Sequence, residues 1–101
     1  MIRKTLPSII DSHCHIDFPE FDNDLDQVLN RAHKAGVSKI LTICTKPANL
    51  QKVLTIVSAH RNIFFAAGSH PLNNNAKDRF TKEELLEATL NAKMVGIGET
   101  G

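Results

Sequence analysis

The feature that most narrows the fold of this chain is an alternation of two hydrophobic periods. Four short β-rich runs, at residues 8–16 (SIIDSHCHI), 37–45 (VSKILTICT), 62–70 (NIFFAAGSH) and 93–100 (KMVGIGET), read as strands. Helical spacing fills the gaps. Leu25, Val28, Leu29 and Ala32 fall at i, i+3, i+4 and i+7, with Asp22 or Asn23 as the cap before them and Gly36 as the stop after them. Leu50, Val53, Leu54 and Val57 repeat the pattern behind Pro47, which suits a first helical turn. Thr81 with Glu84 forms a capping box ahead of Leu85, Leu86 and Leu90. Strand and helix in alternation predict right-handed βαβ crossovers and a parallel sheet.

The strands begin at residues 8, 37, 62 and 93, intervals of 29, 25 and 31 residues. Eight such units would need about 230 residues, near the ~250 typical of a (β/α)8 barrel. The 101 residues hold four of them and stop after the fourth strand. Two architectures remain open: a small four-stranded α/β domain, or the N-terminal half of a TIM-type barrel with its last helix missing. Residues 1–101 then form one partial domain. With 42% apolar and 23% charged residues, the composition is that of a soluble globule and excludes disordered or collagen-like chains. A formal charge of +1 gives no broad basic surface, so a polyanion would have to be met by a local site. No apolar run approaches the roughly 18 residues of a membrane span, and the N-terminus has no secretory pattern. Cys14 and Cys44 are too few for a disulfide framework and lie outside any C-x-x-C, so they read as small buried side chains in a reduced, cytoplasmic protein.

Chemistry concentrates at the ends of strands. In Asp11-Ser12-His13-Cys14-His15, strand alternation puts His13 and His15 on one face and Cys14 on the other. Two imidazoles about 6.6 Å apart along a strand can converge on one cation, or stand as a solvated pair. In Val95-Gly96-Ile97-Gly98-Glu99, two apolar residues share a face with a terminal carboxylate, while Gly96 and Gly98 face a close-packed helix. Glu99 could partner a cation held by the histidines or end its strand in water. His70, before Pro71, closes the third strand, and the loop 72–80 (LNNNAKDRF) after it is longer than most βα connections. Its Lys77 and Arg79 could contact phosphate or be solvated. His33 and His60 lie on or at the ends of helices and read as surface residues.

With these stretches in view, the chain resembles the TatD family of metal-dependent hydrolases. IIDSHCHIDFPEFDNDLDQVLNRAHKAGV is similar to the family's opening strand and helix, AAGSHP to its third-strand G-x-H-P, and VGIGETG to its fourth-strand G-E-x-G. The resemblance implies a (β/α)8 barrel with one or two divalent cations (Zn, Mn or Mg) at its C-terminal mouth, hydrolysing phosphodiester bonds in DNA. Residue by residue, it implies that His13 and His15 bind a cation, that Glu99 binds or bridges, and that His70 lies near the substrate phosphate. The D-x-H-x-H pattern also occurs in other metal-dependent hydrolases. Two further His and an Asp, the latter a general base expected beyond Gly101, have no counterpart here. The resemblance therefore implies a truncated or inactive fragment of a deoxyribonuclease.

Half a barrel would leave Ile9, Phe64, Val95 and Ile97 facing an open trough and two unpaired edge strands, which favours self-association. Two other functions remain open: a hydrolase of the same metal type acting on a non-nucleic ester or amide, and a non-catalytic α/β module.

Overall fold

In a computed structural model, which describes residues 8–100, the alternation takes the expected form. The elements run β1 (Ile9–Cys14), α1 (Leu25–Lys34), β2 (Val37–Cys44), α2 (Leu50–Ala59), β3 (Ile63–Ala67), α3 (Lys82–Ala88) and β4 (Met94–Ile97). Short 3-10 turns lie at Pro19–Phe21, Pro47–Asn49 and Ala76–Asp78. The strands form one sheet in the order β1-β2-β3-β4, every pair parallel. Consecutive strands are neighbours, so each helix crosses back over its own strand pair.

Local chemistry sets the helix ends, with some departures from expectation. Asp24, not Asp22 or Asn23, is the N-cap of α1, and its side chain makes no capping bond. Asp22 is drawn off to an ion pair with Lys52 on α2. Pro47 opens a 3-10 turn rather than α2 itself; the turn runs directly into Leu50. Gly36 ends α1 at φ 100°, a left-handed conformation that a side chain resists. The Thr81–Glu84 capping box forms with both of its hydrogen bonds. Because α3 stops at Ala88, Leu90 lies past its end and is 84% exposed. His33 is exposed as expected, whereas His60 is half-buried at the C-cap of α2.

One face of the sheet is closed by helices. Ile40, Cys44, Ile63, Phe65 and Ala67 pack against Val53, Ile56 and Val57 of α2, with Leu25 and Leu29 of α1 and Leu85 of α3 at the margins. The opposite face is an apolar trough lined by Ile10, Leu41, Phe64 and Val95. Ile10, rather than the expected Ile9, lines it. Ile9 pairs with Val37, which packs on the helix side, and Ile10 pairs with Lys39. Between Asp11 and Cys14 the β1–β2 register slips. There the Asp11 side chain takes the His13 backbone N–H (3.1 Å), so β1 gains one residue on its partner and its alternation changes phase. That slip puts Ile10 and the two histidines on the same side.

Among the described residues, a Cβ at Gly96 or Gly98 would meet nothing within 4 Å, so the expected close helix approach is absent at both glycines. The intolerant glycine is Gly68, whose Cβ would lie 2.5 Å from the Glu99 carbonyl oxygen and 2.9 Å from the Gly98 carbonyl carbon. β3 and the end of β4 therefore approach to backbone contact, with the Gly98 N–H donating to the Ala67 carbonyl (3.0 Å). No helix of the described residues is long and apolar enough to cross a membrane.

Candidate metal centre

The strands are shorter than their sequence patterns, and the difference shapes the site. β1 ends at Cys14, β3 at Ala67 and β4 at Ile97. His15, His70 and Glu99 therefore stand just past strand ends, on the rim where the parallel sheet gathers its loops. Turns begin there: the Phe18 N–H bonds the His15 carbonyl (3.2 Å), and the Asn73 N–H bonds the His70 carbonyl (2.9 Å).

All four residues singled out in the sequence meet at one carboxylate. Glu99 Oε2 lies 3.1 Å from His13 Nε2 and 3.6 Å from His15 Nε2, and Oε1 lies 3.7 Å from His70 Nε2. A tetrahedral cation with ligands at about 2.1 Å sets its donors about 3.4 Å apart. The distances from Glu99 to the first two rings bracket that spacing, and the three donor atoms of His13, His15 and Glu99 all lie within 4.8 Å of one another. Lys77 and Arg79 are exposed on the β3–α3 loop, and Arg79 Nη1 donates to the Asn73 carbonyl (3.2 Å).

Backbone groups fix the ring protons. His15 Nδ1 faces the Ile43 carbonyl at 3.1 Å. A carbonyl only accepts, so Nδ1 carries a proton, and Nε2 is the nitrogen turned toward Glu99. A backbone carbonyl behind the ring is the usual support of a metal-binding histidine. His70 is the reverse case. Its Nδ1 accepts the Leu72 N–H (3.0 Å), so its proton sits on Nε2 and points into the site. At 3.7 Å from Oε1 that N–H is too far for a hydrogen bond and is left to serve another acceptor. The site thus holds two kinds of imidazole, one turned as a ligand and one as a donor.

Two supporting contacts lay outside the sequence reading. Phe18 stacks on His15 with ring centres 4.7 Å apart and planes 13° from parallel. Asp17, 1% exposed, accepts from Asn49 Nδ2 (3.0 Å), tying the β1–α1 loop to the β2–α2 loop, and its Oδ1 has no partner among the described residues. Their only signal was proximity to His15. Burial pushes the Cys14 and Cys44 thiols up to about 12, so both are inert neighbours of the site.

With this geometry established, comparison with known proteins places the chain. A family model described as TatD related DNase matches residues 10–101. A metal-dependent hydrolase named YjjV from Escherichia coli K12 is 37% identical over 94 residues, which cover 91% of this chain and 36% of the relative. A zebrafish (Danio rerio) protein named putative deoxyribonuclease tatdn3 is 34% identical, covering 91% of this chain and 38% of its own. The crystal structure of the Escherichia coli YjjV protein, a TatD homologue, superposes with a TM-score of 0.74 at 36% identity, over 89% of this chain and 36% of that one. The chain spans little more than a third of the length of the relatives it matches. Four parallel strands alternating with helices are the N-terminal half of the barrel architecture expected from the sequence. On family model, relatives and fold alike, this chain belongs to the TatD family.

Proposed function

We propose that His13, His15 and Glu99 form one side of a divalent-cation centre in a hydrolase that cleaves phosphodiester bonds in DNA. The observation that carries this reading is the convergence of His13, His15 and Glu99, with His15 Nε2 and a carboxylate oxygen facing each other at 3.6 Å, the spacing of a metal ligand set. A divalent cation bound there contributes Lewis acidity at a phosphoryl oxygen and makes water a stronger acid. His13 and His15 would hold it through Nε2, and the Ile43 carbonyl and the Phe18 ring keep His15 from turning away. Glu99 offers two oxygens, one toward the His pair and one toward His70, and so can bridge. His70 donates its Nε2 proton to a phosphoryl oxygen, where negative charge grows during attack.

DNA as the substrate is supported by the names of the zebrafish relative and of a human one, deoxyribonuclease TATDN3, 31% identical over 72 residues. Other relatives, among them YjjV, are named only as metal-dependent hydrolases, which keeps a small ester or amide as the second reading. Metal analysis of the full-length protein with His13→Ala, His15→Ala and Glu99→Gln, alongside nucleotide release from single-stranded DNA, tests both layers. Metal content should fall in all three variants, and unchanged content in all three would remove the ligand assignment. A metal-loaded protein that spares DNA and cleaves small esters would overturn the substrate.

A further inference from the structure

We infer that Asn73 is the positioning residue that aims the His70 proton into the site. This inference rests on the proposal that His70 donates to phosphate, and it concerns how the donor is held. His70, Pro71, Leu72 and Asn73 form a tight turn closed by the Asn73 N–H on the His70 carbonyl (2.9 Å), with Pro71 in the position such turns favour. Within that turn the Leu72 N–H lands on His70 Nδ1 (3.0 Å) and forces the proton to Nε2. The turn has no sheet to brace it, because β3 has already ended at Ala67.

Asn73 supplies the brace. Its side-chain NH2 donates to the Thr45 carbonyl at the end of β2 (2.8 Å) and to the Asp78 carbonyl at the far side of its own loop (3.2 Å). Both partners only accept, so the amide can be oriented one way. The Asn73 carbonyl in turn receives Arg79 Nη1 (3.2 Å). One half-buried residue thus bolts the turn to the neighbouring strand and closes the loop on itself. Asn74 and Asn75, beside it in the sequence, are exposed and form no such tie among the described residues. The chain of causes runs from Thr45 through Asn73 and Leu72 to the proton on His70.

The test compares Asn73→Ala, Asn73→Asp and Thr81→Ala in the zinc-loaded chain. Asn73→Asp keeps the shape but has no N–H to give, so it preserves a folded variant if the alanine does not fold. Thr81→Ala removes the cap of α3 and reports what plain loss of stability in this region does. Three readouts are followed: amide exchange at Leu72, the ring nitrogen shifts of His70, and their response to dimethyl phosphate as a small phosphodiester probe. Both Asn73 variants should speed Leu72 exchange and weaken the His70 response by about tenfold or more, as loss of a supporting contact commonly does. Thr81→Ala should leave all three readouts near wild type. Exchange and response within twofold of wild type in the Asn73 variants, or an equal change in Thr81→Ala, would overturn the inference. Wild-type protein whose His70 ignores dimethyl phosphate while Leu72 exchange still depends on Asn73 would sink the donor role of His70 and leave the brace standing.

Discussion

At the lower end of β4 the Lys93 ammonium donates to the carbonyls of His60 (3.0 Å), Arg61 (2.8 Å) and Ile63 (3.0 Å) and lies 4.4 Å from the centre of the Phe64 ring. Past the upper end of the same strand, the Glu99 carboxylate stands among three imidazoles at 3.1–3.7 Å. Each is a charge among groups of complementary character, yet the partners differ in kind. The carbonyls belong to the turn between α2 and β3 and to the first residue of β3, so all three ammonium protons are spent on backbone groups that neither titrate nor leave. The imidazoles are side chains facing another side chain, and in His15 and His70 the second ring nitrogen is set by a backbone group. One end of the strand is fastened, and the other is left able to react.

Substitutions at the two ends should separate these roles. Glu99→Gln should lower metal affinity by about 100-fold, the upper range for a lost supporting or ligating contact, with little change in unfolding midpoint; calorimetric titration with Zn2+ measures it. Lys93→Met should do the opposite, costing about 2–3 kcal/mol of stability by removing three charge-assisted hydrogen bonds, with metal affinity kept; urea unfolding reads this. If Lys93→Met weakens metal as much as Glu99→Gln does, the two ends are one coupled unit and the contrast fails.

The two faces of the sheet sharpen the same contrast. Phe65 is fully buried on the helix side, and Phe65→Ala should cost about 3–5 kcal/mol. Val95 is 58% exposed in the trough, and Val95→Ala should stay within about 1 kcal/mol in the isolated chain. A larger loss at Val95 that grows with protein concentration would mean that the trough is covered by self-association, which size-exclusion at several concentrations would confirm. The smallest effect is alkaline. Burial raises the Cys44 thiol from about 9 to about 12, so between those values the folded chain keeps a proton that the unfolded chain has lost. Stability from this group is complete below pH 9 and declines above it, by about 1.4 kcal/mol per pH unit at most. Urea midpoints at pH 8 to 11 should fall less steeply in Cys44→Ala than in wild type.

Much of this was legible in the residues. Period and punctuation placed all four strands and three helices, since Gly36, Pro47 and the Thr81–Glu84 box act through local chemistry. The convergence of His13, His15, His70 and Glu99 followed from parallel strands delivering their ends to one rim. Less legible was whatever depends on backbone partners. Nothing in the letters says that His15 Nδ1 meets a carbonyl and His70 Nδ1 an N–H, although that difference divides ligand from donor. The slip in β1 was hidden too, because Asp11 reads as part of a metal motif and its bond to the His13 amide is a matter of local geometry. Exact strand ends were lost for the same reason: HCHI and GSH carry strand-like residues into turns.

The contact at Gly68 has a consequence for how the rim tolerates change. A single methyl there would press on the main chain of Glu99 and Gly98, atoms with no rotamer to escape into. Gly68→Ala touches no imidazole and no carboxyl oxygen, yet it should swing the carboxylate out of reach of the rings and empty the metal site at a distance. The aim of the acid on one strand is held by the bareness of its neighbour.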